Sequence, residues 1–146
     1  MDKRISYKAE QMGKMLETLY KAIVLYREYI TKTPSIEHHT NSILLACQDS
    51  VIQRFEYTID GFWKFLSMHL EVDLGMTLQE KGPKPIIRMA VLAGAISELE
   101  AEGLMKLINE RNKTSHIYHE EIADAVAKQA PEACKLMKTI FDRLQK

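Results

Sequence analysis

The chain has 146 residues and 46% hydrophobic content, enough for one domain with a real core and too apolar for an acidic disordered segment. Twenty Lys and Arg balance 20 Asp and Glu, a formal net charge of zero, which excludes a dedicated duplex-DNA binder because that requires a basic surplus. A balanced surface favours association, so a single domain over residues 1–146 that works with a partner is expected.

Met12, Leu16, Leu19, Ile23, Tyr26 and Ile30 recur at alternating steps of four and three, the stripe of a long amphipathic helix that Pro34 closes. Leu44, Cys47, Val51, Phe55, Ile59, Phe62 and Leu66 repeat the pattern in a second long helix. Gly75 and Gly82-Pro83-Lys84-Pro85 then interrupt the chain. A shorter helix is predicted to begin near Pro85, since proline suits a first turn. Its apolar residues are Ile86, Ile87, Ala90, Leu92 and Ala93, and it ends near Gly94. A fourth helix spans about residues 98–115 with Leu99, Leu104, Leu107 and Ile108 inward. A short fifth is predicted over about residues 120–129 with Ile122 and Val126, and Pro131 starts a sixth with Cys134, Met137, Ile140 and Leu144.

No stretch alternates with period two for long enough to make a strand. Two helices of ~25–30 residues are ~40 Å long and stay compact only by packing antiparallel. The fold class is therefore an all-α antiparallel bundle of five to six helices.

The N-terminus turns polar at Ser6-Tyr7-Lys8, where a secretory signal needs an apolar region. The longest apolar run, residues 89–96, is far short of the ~20 residues that cross a bilayer. No membrane association is expected, and the cytoplasm is the default compartment. Cys47 and Cys134 form no CxxC pattern, so neither a zinc finger nor a disulfide framework is indicated. Cys47 falls at a core spacing and reads as a small buried hydrophobe.

Chemistry concentrates in Glu110-Arg111-Asn112-Lys113-Thr114-Ser115-His116-Ile117-Tyr118-His119-Glu120-Glu121. Arg111 and His116 lie ~140° apart on a regular helix and converge only if the helix ends around residues 113–115. Thr114 and Ser115 are weak helix formers, which permits such an ending. Arginine grips two phosphate oxygens at once, and a histidine with pKa near ~6.5 can move a proton at a 2′-hydroxyl or a leaving oxygen. The set therefore suits an RNA phosphodiester. One histidine cannot serve both ends of the reaction, but a symmetric dimer would supply two; His119 is a possible second histidine within the chain. The plainer alternative is that Arg111 complements the helix dipole and His116 caps the last carbonyls.

Lesser candidates surround this segment. Glu56 and Asp60 lie four apart on one helix face and either line the site or form a solvated face. His38-His39 lacks neighbours at metal spacing, and His116-x-x-His119-Glu120 lacks the order of a zinc protease, so no metal and no cofactor are expected. Phe62 and Trp63 read as core. Lys128, Lys135, Lys138, Arg143 and Lys146 give the tail a positive face, read as exposed helix charge.

The segment from Arg111 to Tyr118 resembles the Arg-x4-His-x-Tyr motif of the HEPN superfamily (nucleotide-binding domains of higher eukaryotes and prokaryotes). Within it, the chain is similar to the nucleotidyltransferase substrate-binding protein family. Gln53-Arg54-Phe55-Glu56-Tyr57-Thr58-Ile59-Asp60-Gly61-Phe62-Trp63-Lys64 resembles that family's second helix. Gly82-Pro83-Lys84-Pro85-Ile86-Ile87-Arg88-Met89-Ala90 with Gly94-Ala95-Ile96 resembles its third helix and turn. Glu120-Glu121-Ile122-Ala123 follows the motif as expected, and the likeness covers about residues 53–126. Gly61 departs from the pattern, standing where the family usually has a larger residue.

The resemblance implies a homodimer paired with a separately encoded minimal nucleotidyltransferase in a toxin–antitoxin-like module. In one form the chain is a substrate-binding partner subunit. In the other it is a metal-independent ribonuclease with Arg111 and His116 as the catalytic pair, neutralised by nucleotidyl modification of Tyr118. Asn112, His119, Glu56 and Asp60 would line the site. A nucleotide or RNA substrate is implied, without membrane or duplex DNA.

Overall fold

A computed structural model describes residues 3–114 and 119–145. Five α-helices follow one another: α1 (Lys3–Lys32), α2 (Ser42–Met68), α3 (Pro83–Leu92), α4 (Glu98–Thr114) and α5 (Glu120–Leu144). A short 3₁₀ turn (Ser35–Glu37) precedes α2, and a π-turn (His69–Asp73) continues it. The described residues contain no strand, as the absence of a period-two pattern requires.

The two predicted stripes are the inner faces of α1 and α2. Met12, Leu16, Leu19, Ile23 and Tyr26 are buried on α1, and Leu44, Cys47, Val51, Phe55, Ile59, Phe62 and Leu66 on α2. The helices run antiparallel: the Met15 side chain meets Gly61, while Tyr26 meets Gln48 thirteen residues earlier on α2. Asn41 starts α2 by accepting the Leu44 N–H at 3.0 Å, satisfying a donor the helix cannot pair internally. Ser97 and Glu100 cap α4 reciprocally, backbone to side chain, at 2.9 and 3.0 Å.

α3 starts at Pro83, two residues before its predicted start. Both Pro83 and Pro85 fall in the first turn, where no intrahelical N–H is needed. Gly82 precedes them at φ 144°, a conformation open to glycine and strained for other residues.

The predicted break at Pro131 does not occur. α5 is one 25-residue helix with Pro131 inside it, so the expected fifth and sixth helices are one. An interior proline forfeits a backbone hydrogen bond and costs about 3 kcal/mol. The buried stripe Ala123, Val126, Ala127, Ala130, Ala133, Cys134, Met137, Ile140 and Phe141 keeps its phase across the proline, and that continuous burial offsets the cost.

Leu99, expected inward, is 77% exposed, and Leu92, an apolar residue of the predicted third helix, is 79% exposed. They flank the α3–α4 turn, where Ala95 and Ile96 rather than the two leucines are buried in the core. The buried side chains of all five helices join one core cluster, with Phe62 inside it and Trp63 half-buried against it. Both thiols are free and buried, and burial pushes both up from their ordinary pKa. Arg143 ties the end of α5 to the start of α4, reaching Glu100 at 2.7 and 2.8 Å and the Ala95 carbonyl at 3.0 Å. That hydrogen-bonded guanidinium holds the Glu100 carboxyl below its usual range.

Thr58 is fully buried on α2, and its hydroxyl has no hydrogen-bond partner among the described residues. An orphaned buried hydroxyl costs about 1–3 kcal/mol. Thr58→Val, of nearly the same shape, should therefore stabilise the chain by about 1 kcal/mol, read as a raised urea midpoint at unchanged m-value.

Candidate functional site

Arg111 stands in the last turn of α4, and its guanidinium turns toward α2. Its Nε and Nη2 donate to the two carboxylate oxygens of Asp60 at 3.4 and 3.2 Å, and Nη1 lies 3.6 Å from Glu56 Oε2. The i, i+4 spacing of Glu56 and Asp60 puts both carboxylates on one helix face, and Arg111 closes the triangle from the neighbouring helix. The Arg111 side chain is 23% exposed, Glu56 27% and Asp60 41%, so the cluster sits at the surface with its guanidinium partly shielded. One cation against two anions leaves the cluster at −1.

The arginine is therefore committed to α2 carboxylates through its side chain, which helix-dipole complementation alone would not require. Thr114 Oγ1 donates to the Arg111 carbonyl at 2.8 Å, an alternative backbone partner near the helix end. By His119 the backbone is extended, at φ −132° and ψ 127°. α4 is described to Thr114 and α5 begins at Glu120. His116 and Tyr118 lie outside the described residues. His119 is exposed at the start of α5 without capping it through its side chain, and Asn112 is exposed on the last turn of α4.

Asp60 has a second neighbourhood. It lines a cleft of about 330 Å³ between α1 and α2, together with Lys8, Gln11, Tyr57, Gly61 and Lys64. The basic and aromatic members of this cleft escaped the sequence reading, although Tyr57 and Lys64 follow Glu56 and Asp60 on the same helix and Lys8 comes from α1. A larger cavity of about 710 Å³ lies between α1 and α5, around Leu16, Tyr20 and Lys135, and does not include Arg111.

A separate polar cluster ties the α1–α2 connection to α5. His39 Nε2 and Gln48 Nε2 reach the two Asp124 oxygens at 2.8 and 2.7 Å, and Gln48 also lies 3.5 Å from the Tyr26 hydroxyl. Gln48 is 4% exposed, so these bonds satisfy an amide that water cannot reach. His38 pairs with the Thr33 carbonyl at 2.9 Å. Among the described residues, no group of three or more His, Cys, Asp or Glu is arranged to hold a metal.

The Asp124 hydrogen bond and charge raise the His39 pKa above 6.5. Its contribution to stability is complete below 6.5 and fades as pH rises through the raised value. The melting-temperature gap between wild type and His39→Ala should accordingly be widest in mildly acidic buffer and close in alkaline buffer. An equal gap at both would show that the protonated pair contributes nothing.

The chain has solved structural neighbours. A protein of Thermus thermophilus matches at TM-score 0.74 and 30% identity, over 92% of this chain and 99% of that one. A chain from a tri-AMPylated Shewanella oneidensis HEPN toxin in complex with MNT antitoxin matches at TM-score 0.72 and 14% identity, over 99% and 98%. A chain from a toxin–antitoxin structure with AMP-PNP matches at 0.71 and 13%, again over 99% and 98%. At such identities the last two speak for the fold alone. No curated protein matches the chain. Among the described residues no helix is long and apolar enough to cross a membrane. The model of the family "nucleotidyltransferase substrate binding protein like" matches residues 10–146, nearly the whole chain and every described residue of the Arg111 cluster, and the chain belongs to that family.

Proposed function

We propose that this chain is the substrate-binding partner subunit of a separately encoded minimal nucleotidyltransferase, in a toxin–antitoxin-like pair. It acts as a homodimer and positions a nucleotide-bearing substrate near Arg111 and Tyr118. The family match supports the pairing, and so does the likeness in fold to chains from toxin–antitoxin complexes.

The observation that carries the reading is the state of Arg111. Two carboxylates within 4 Å orient its guanidinium and reverse the local charge. Each guanidinium nitrogen faces a carboxylate oxygen, so Arg111 meets a nucleotide phosphate only by exchanging Asp60 or Glu56 for it, which suits a subunit whose site a partner completes better than a self-sufficient nuclease. Co-expression with a nucleotidyltransferase encoded next door tests it. The pair should co-purify, and a chain that purifies alone contradicts the reading. Adenylate found by mass spectrometry on Tyr118, and absent from Tyr118→Phe, would instead mark the modification that belongs to the alternative below.

The alternative, a metal-independent ribonuclease using Arg111 and His116, is favoured by one observation: the backbone at His119 is extended, so α4 and α5 are two separate helices. Under it the wild type cleaves RNA in chelator, and Arg111→Ala or His116→Ala abolishes cleavage while the fold persists. Equal RNA survival with wild type and His116→Ala eliminates it.

A further inference from the structure

We infer that the α1–α2 cleft beside Arg111 binds one nucleotide unit, with its phosphate between Lys8 and Lys64 and its base against Tyr57. This rests on the reading that Arg111 meets a nucleotide phosphate, and extends it to a second, adjoining subsite.

Charge is the first argument. On α1, Lys14, Lys21 and Lys32 each pair with a glutamate four residues earlier, at 3.4, 3.0 and 3.3 Å. Lys8 has Arg4 and Met12 at the corresponding positions, and so has no acid to pair with along its own helix. Lys64 has Asp60 four residues before it, but Arg111 from α4 takes that carboxylate at 3.2 Å. No carboxylate among the described residues lies within ion-pair distance of either lysine, and Lys64 instead lies 5.8 Å over the Trp63 ring. Lys8 and Lys64 thus line one cleft with Asp60 as its acidic lining residue, and Arg111 already holds that carboxylate, in a chain whose total charge is zero.

Shape and surface are the second argument. Tyr57 is 39% exposed and lines the same cleft. Its hydroxyl accepts a hydrogen bond from Arg54 Nη1 at 2.8 Å, which fixes the ring and adds a cation beside it. Met12 and Met15 give the cleft an apolar wall, and Gly61 lets the Met15 side chain pack directly onto α2, since a β-carbon there would come within 2.7 Å of the Met15 sulfur. Aromatic face, apolar wall and flanking cations are what single-stranded nucleotides bind: bases stack and phosphates pair, with little demand for sequence. A volume of about 330 Å³ lies within the range of small-molecule sites. Asp60 joins the two neighbourhoods, placing the cleft next to the Arg111 guanidinium.

The nucleotide unit is either a free mononucleotide or one residue of a single-stranded RNA. Fluorescence anisotropy with a short labelled oligoadenylate, competed with AMP, separates the two: AMP displacing the oligonucleotide identifies the former, and binding that AMP leaves untouched identifies the latter. In either case the Lys8→Ala/Lys64→Ala double variant should flatten the log–log salt dependence of oligonucleotide binding by about 0.7, for the one phosphate no longer neutralised. Tyr57→Ala should weaken binding about tenfold while Tyr57→Phe retains it. All are surface substitutions, and unchanged thermal melting confirms the fold.

If Arg111→Ala loses affinity while the lysine and tyrosine variants match wild type, the cleft is not a subsite and the inference falls, with the Arg111 reading left standing. If no variant affects binding, or nothing binds, both fall. If the lysine variants lose the nucleotidyltransferase and keep the nucleotide, the cleft is a protein contact and the inference is overturned.

Discussion

Arg111→Ala should cost the chain about 1–2 kcal/mol of stability, because a charge-assisted hydrogen bond contributes about 1.5–3 kcal/mol when shielded and less at a surface site. The loss arises on α2: Glu56 and Asp60 stay four residues apart on one face with no cation between them. The same substitution should lower nucleotide affinity at least about tenfold, a typical loss for a phosphate-gripping arginine. Two further variants separate charge from geometry. Arg111→Lys keeps the charge but cannot bridge both Asp60 oxygens, so it should recover part of the stability and little of the affinity. Asp60→Asn removes the competing carboxylate and should raise affinity for an anionic ligand while slightly lowering stability. Urea denaturation and anisotropy on the four proteins provide both readouts. If Asp60→Asn weakened nucleotide binding, the carboxylate would be contacting the ligand rather than competing with it.

The second large effect lies beneath the site. Phe62 is 2% exposed on the inner face of α2, next along that face from Phe55 and Ile59. Phe62→Ala should cost about 3–5 kcal/mol, the usual sum of lost transfer energy and residual cavity. Natural domains hold only about 5–15 kcal/mol, so the variant should be close to unfolding at body temperature and should lose nucleotide binding with its fold. Phe62→Leu should cost less by filling most of the space. On the outer face of the same helix, Tyr57→Ala should change stability by under about 0.5 kcal/mol. The contrast between two aromatic residues five positions apart measures how sharply α2 divides core from site.

Most of the bundle was legible because burial imposes periodicity. The stripes of α1 and α2 are spelled out in full, and the length of each helix forces the antiparallel pair. Reading failed where two local signals conflicted. Pro131 is a strong breaker, but the apolar stripe runs through it in phase, and tertiary burial outweighs the local cost. Leu92 and Leu99 carry the right residue type at helix ends, where periodicity cannot tell whether a neighbour is present.

The site divides along the same line. Glu56 and Asp60 share a face by spacing alone, but their cation comes from a helix 51 residues away in sequence, and no local pattern announces it. The His39–Asp124 contact spans 85 residues, and no local pattern announces it either. Lys8 was invisible for a subtler reason. What distinguishes it from the paired lysines of α1 is the absence of a glutamate four residues before it, and that absence gains meaning only once Tyr57 and Lys64 stand opposite.

The central claim, that this chain works as the partner of a nucleotidyltransferase, is tested most directly by looking for a minimal nucleotidyltransferase in the adjacent reading frame, co-expressing the two and measuring the mass of the purified species by light scattering. The account predicts one co-eluting complex containing two copies of this chain. The chain eluting by itself, at the mass of its own monomer or dimer, with the nucleotidyltransferase in a separate peak, would contradict it.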